Sequence, residues 1–117
     1  MMDFWRSEVV EFSLDQETGR HVREQMEWIA REPRNPRPYY HLAQLYRMQW
    51  KQDEGMALLL EAVSLDPEFA AAHVALAEIY AVREDYRAAW LHARSAETAG
   101  LSAGVDLLMR HGISEPN

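Results

Sequence analysis

Tyr39-Tyr40-His41-Leu42-Ala43-Gln44-Leu45-Tyr46 is answered, 34 residues further on, by His73-Val74-Ala75-Leu76-Ala77-Glu78-Ile79-Tyr80. Leu42 falls on Leu76, Ala43 on Ala77, Leu45 on Ile79 and Tyr46 on Tyr80. The same shift carries Gly55 onto Ala89 and Ala62 onto Ala96. Small residues meet small residues, and the aromatic meets an aromatic. Two antiparallel helices approach closely only where side chains are small, with large residues filling the gaps between. One register shared by both kinds of position therefore points to a duplicated helix pair.

Working outward, apolar residues recur at three and four, and no stretch alternates as a strand would. Val22, Met26, Ile29 and Ala30 form one stripe, and Leu42, Leu45 and Tyr46 another. Met56, Leu59, Leu60 and Val63 form a third; Val74, Leu76, Ala77 and Tyr80, then Ala89, Ala93 and Ala96, give two more. Breakers separate the stripes: Pro33, Pro36 and Pro38, then Pro67, then Gly100 and Gly104, then Gly112 and Pro116. The spacing predicts an all-α chain with helices near 3–13, 17–31, 37–49, 53–65, 70–82, 86–99 and 103–111. Pro36 or Pro38 suits a first helical turn, Asp53 and Asp85 suit N-caps, and Gly100 suits a left-handed C-terminal cap. Links of a few residues make neighbouring helices pack antiparallel.

One unit reads Tyr39, Leu42, Ala43, Tyr46, Gly55, Leu59, Ala62, Pro67; the next reads His73, Leu76, Ala77, Tyr80, Ala89, Ala93, Ala96, Leu101. This pattern resembles the tetratricopeptide repeat (TPR) family, a 34-residue helix–turn–helix unit with W-x2-L-G-x2-Y…A-x3-F…P spacing. Gly55 replaces the family's alanine, and the second unit departs at His73, Ala93 and Leu101. The register also runs backwards. Pro33 precedes Pro67 by 34; Trp5, Val9 and Phe12 fall on Tyr39, Ala43 and Tyr46; Val22, Met26 and Ile29 fall on Met56, Leu60 and Val63. Val9 and His21 stand where small residues belong, so residues 2–35 read as a degenerate repeat; the other reading is a helix at 17–31 preceded by a loose arm. The resemblance implies one domain, a right-handed α-solenoid of antiparallel pairs: about three repeats (2–35, 36–69, 70–103) and a capping helix at 104–113. In the cap, Val105, Leu108 and Met109 would cover the last repeat while Asp106 and Arg110 face water.

The remaining composition excludes several classes of function. The 117 residues carry 12 Lys or Arg against 19 Asp or Glu, a net charge of −7, which disfavours nucleic acid and anionic membranes. There is no cysteine, so disulfides, thiolate metal sites and a cysteine nucleophile are out. No apolar run approaches the roughly 20 residues that span a bilayer. Asp3, Arg6 and Glu8 interrupt what a signal peptide would need as its apolar core, so a cytoplasmic protein is expected. His21, His41, His73, His92 and His111 show no pair three or four apart, so separate histidines, no metal and no cofactor are expected. Phosphate-binding and nucleophile motifs are missing too, and the expectation is a chain that is not an enzyme.

In the resembled family, the first helix of each pair lines a concave surface that takes extended peptides or partner helices. Projected onto this chain, the inward positions include Arg6, Val10 and Leu14, then Arg37, Tyr40, Gln44, Arg47 and Met48, then Val74, Glu78 and Val82. Leu14, Met48 and Val82 are equivalent by the shift and make an apolar stripe, joined by Tyr40 and Val74. The lysines and asparagines with which one branch of the family grips a chaperone's C-terminal carboxylate are missing from these positions. The expected function is therefore a non-catalytic interaction module or scaffold. It would hold an apolar protein segment with acidic flanks near Arg37 and Arg47. The alternative is a structural subunit that forms a homo-oligomer through its groove or its ends. The arginine-bearing turn at 31–37 reads as solvated, with an acidic partner as its second reading. Trp50 stands where the family turns through glycine, and reads either as packed over the turn or as an exposed anchor.

Overall fold

The computed structural model describes the backbone of residues 2–117 and the side chains from residue 17 onward. Among the described residues there are six helices: α1 (Met2–Arg31), α2 (Pro36–Met48), α3 (Gln52–Leu65), α4 (Ala70–Val82), α5 (Tyr86–Thr98) and α6 (Ala103–Arg110). No strand occurs among the described residues. Each helix packs on the next in the chain, and α4 also reaches α6. None of the helices among the described residues is long and apolar enough to cross a membrane.

The starts and stops follow local chemistry. The Asn35 side-chain oxygen accepts from the Arg37 N–H at 3.0 Å, with Pro36 and Pro38 in the first turn of α2. Asp85 caps α5 as expected, accepting from the Ala88 N–H at 3.2 Å. Asp53 does not cap α3: it lies inside the first turn, after Lys51, and its carboxylate meets Arg83 at 2.6 Å instead. Four helix C-termini share one device. Trp50 (φ 62°), Glu84 (φ 63°), Gly100 (φ 101°) and Gly112 (φ 70°) end α2, α4, α5 and α6 in the left-handed region. In each case the next residue's N–H bonds back to the helix, as in Lys51 to the Tyr46 carbonyl and Asp85 to the Tyr80 carbonyl, both at 2.9 Å.

The expected helix pair over 2–35 does not form, because α1 is a single helix. Nothing in Ser13-Leu14-Asp15-Gln16-Glu17 stops helical hydrogen bonding, and Gly19 costs only about 1 kcal/mol inside a helix without breaking it. The C-terminal part of α1 packs on α2, with Trp28 stacked on His41 at 6.3 Å. The Tyr39 hydroxyl donates to the Pro33 carbonyl at 2.8 Å and fixes the turn between the two helices.

Five pairs of positions related by the 34-residue shift are buried in both copies, Leu42 and Leu76, Ala43 and Ala77, Gly55 and Ala89, Leu59 and Ala93, Ala62 and Ala96, while Leu45, Tyr46 and Tyr80 are half-buried. One core gathers Ala43, Leu59, Ala62, Ala72, Ala75, Leu76 and Ile79 between α2, α3 and α4. A second gathers Ala77, Ala89, Trp90, Ala93, Val105 and Leu108 between α4, α5 and α6. Gly104 lets α6 lie close to α5, since a Cβ there would stand 3.3 Å from the Ala93 Cβ. In α6, Val105 and Leu108 are buried as expected, but Met109 is 65% exposed. The tail beyond α6 folds back on α5. The Trp90 indole N–H donates to the Ile113 carbonyl at 3.2 Å, and Arg94 pairs with Glu115 at 2.7 Å. The Arg94 hydrogen bond holds the Glu115 carboxyl below the usual carboxylate range.

Candidate functional site

The face built by α2, α4 and α6 holds a cleft. A hydrogen-bonded row runs along it. Arg47 donates from Nη1 to the Gln44 side-chain oxygen at 3.0 Å and from Nη2 to Glu78 Oε2 at 3.3 Å. Gln44 Nε2 in turn donates to the Tyr40 hydroxyl at 3.5 Å. Four residues read from the sequence as inward-facing are thus one connected network, spanning α2 and α4. Arg47 Nε is buried with no hydrogen-bond partner.

Beyond Arg47 and Glu78 opens a cleft of about 720 Å³. Ile79, Val82, Leu107, Leu108 and Ile113 make its apolar walls, with Trp50, Arg83 and His111 among its other lining residues. The α6 helix and the tail supply one side, and the Ile113–Trp90 bond holds that side in place. Two ion pairs, Arg47–Glu78 and Arg83–Asp53, neutralise the charges nearest the opening. Three large apolar side chains stand in solvent at the adjoining ends of α2 and α4: Trp50 at 87% exposed, Val82 at 84% and Met48 at 71%.

Of the residues expected in a groove, Arg47, Glu78 and Val82 line this cleft. Tyr40 and Gln44 belong to the network but not to the cleft, and Tyr40 also packs on Phe69 at 5.2 Å against the first core. Val74 is half-buried and Met48 exposed, and neither lines the cleft. Arg37 is exposed in the first turn of α2, away from it. Arg6, Val10 and Leu14 lie outside the residues whose side chains are described. Trp50 does not pack over its turn, so the exposed-anchor reading is the one its position permits. Leu107 and Ile113 were missed. Leu107 directly precedes Leu108 and lies off the stripe of the buried Val105 and Leu108, and that departure was the available signal.

The histidines are not all separate. His73 and His92, on α4 and α5, bring their Nδ1 atoms to 3.0 Å, and His73 Nε2 lies 2.7 Å from the Pro67 carbonyl oxygen. A carbonyl only accepts, so His73 carries its proton on Nε2, and the His92 Nδ1–H donates to His73 Nδ1. Tyr80 stacks on His92 at 5.5 Å and 2°. Burial, and after it the neighbouring His73, push the His92 pKa down from 6.5 to about 4. The pair ties α4 to α5 and to the turn at Pro67. Among the described residues no three His, Asp or Glu side chains gather as metal ligands.

No protein-family model matches this chain, and no curated protein matches it significantly.

Proposed function

We propose that this chain is a non-catalytic protein-interaction module, a TPR-like right-handed solenoid that receives an apolar protein segment on the face of α2, α4 and α6. The family reading is supported by the 34-residue register, whose small positions are buried in both copies. One observation carries the binding reading: Trp50, Val82 and Met48 stand in solvent beside an apolar-walled cleft of about 720 Å³. Side chains of this kind exposed together mark interaction sites more often than they occur idly. Arg47 is engaged by Gln44 and Glu78, so an acidic flank of the segment would meet Arg37, exposed at the other end of α2. The working location is the cytoplasm, and the working class is a scaffold or adaptor.

Site-specific photocrosslinking in the native cell tests the proposal. A crosslinking residue at position 82 should capture a protein in discrete adducts, while one at exposed position 91 on α5 should not. Equal capture from both positions, or capture from 91 alone, would place the interaction elsewhere.

A further inference from the structure

Trp50 is costly in two ways where it stands. Its backbone lies at φ 62°, a region that costs an L-residue about 1–2 kcal/mol. Its indole is also almost wholly in water. At the same point of the helix end, α5 and α6 use Gly100 and Gly112, and α4 uses the charged Glu84. Strain kept together with an exposed aromatic side chain is the pattern of a functional group rather than of a turn.

A protruding indole needs a hole to enter, and Trp50 stands at the rim of one, among its lining residues. The cleft walls of Ile79, Val82, Leu107, Leu108 and Ile113 are apolar, and its volume of about 720 Å³ leaves room for one aromatic side chain. A two-fold contact requires a patch that complements itself, which a knob and a hole on one face provide. The charges agree. Each copy carries −7, so two copies repel except where local charge cancels. At the opening Arg47 is paired with Glu78 and Arg83 with Asp53, so neither arginine is left to hold a charged ligand.

We infer that the cleft receives the Trp50 indole of a second copy of this chain, in a two-fold pair that exchanges the two indoles. This rests on the proposed reading of the cleft as an interaction surface and names its occupant. It also reverses the salt dependence that an acidic partner would show. Screening weakens the repulsion between two acidic chains, so added salt strengthens the pair, whereas it would weaken the hold on an acidic segment.

Sedimentation equilibrium on the full chain, from about 10 µM to about 1 mM protein and at about 50 and about 500 mM salt, is the test. The expected result is a reversible dimer whose association constant rises with salt. Trp50→Gly should lower that constant by about tenfold or more without lowering the melting temperature, since glycine is at ease at this φ. Leu91→Lys, on α5, should leave it unchanged. A monomer throughout, or a Trp50→Gly variant that dimerises like the parent, overturns the exchange. The cleft itself is scored separately by titrating N-acetyltryptophanamide into Trp50→Gly and following methyl NMR signals. Shifts at Ile79 and Leu107 in a chain that never dimerises would sink the second copy and leave the cleft standing. A monomer throughout with no shift anywhere fails both readings.

Discussion

The Arg47 side chain lies across Gly55: a Cβ at residue 55 would stand 3.0 Å from Arg47 Cγ and 3.2 Å from the Ala43 carbonyl oxygen. The shift of 34 places Ala89 at the matching position, opposite Ala81 rather than an arginine. The glycine that departs from the alanine pattern is therefore explained by its neighbour. A long stem needs room to pass between α2 and α3 on its way to Glu78.

Gly55→Ala follows from this. Alanine in a helix interior gains about 1 kcal/mol over glycine, but here the methyl group meets the Arg47 stem and a backbone oxygen. The expected result is little or no gain in stability, with the Arg47–Glu78 pair displaced. Denaturant unfolding beside an Arg47→Ala, Gly55→Ala double variant checks it, because removing the stem should restore part of the propensity gain.

Ala62 and Ala96 are equivalent by the shift and fully buried. Leucine at either position should overpack the core and cost about 1–3 kcal/mol. Thermal or urea unfolding reads this directly, and unchanged stability in both variants would show that the repeat register is wrong.

The helix ends provide a stabilising counterpart. Glu84 sits at φ 63°. Glu84→Gly should relieve the left-handed strain and raise stability by about 1 kcal/mol. A melting temperature below that of the parent would mean that the Glu84 side chain holds a contact worth more than the strain.

Acid should weaken the fold through His92. Its folded pKa of about 4 lies below the ordinary 6.5, so between these values the unfolded chain binds the extra proton. The stability held above pH 6.5 is lost as pH falls through about 4. Discounted for the partial exposure of the ring, the loss is about 2 kcal/mol. Denaturant unfolding at stepped pH should show this slope, and His92→Gln should flatten it.

How far the sequence could be read differs between core and cleft. Leu42, Ala43, Ala62 and their partners are placed by pairwise helix packing, which repeats with the chain and so shows as periodicity. The single helix α1 was obscured because an apolar stripe without a breaker fits one long helix as well as two short ones. Arg47, Glu78 and Val82 were reachable by projection from equivalent positions. Leu107 and Ile113 were not, because they enter the cleft through α6 and a tail tied to Trp90 by one backbone hydrogen bond. The contact between His73 and His92 spans 19 residues on two helices, beyond the spacing that marks a pair on one helix.

The face of α2, α4 and α6 is tested most directly by hydrogen exchange, comparing the free chain with the chain in its isolated, crosslinked assembly. The account predicts slowed exchange over residues 46–52, 78–84 and 107–113, which bound the cleft, and unchanged exchange along the outward turns of α3 and α5. Protection confined to α3 and α5, with the cleft segments exchanging as in the free chain, would contradict it.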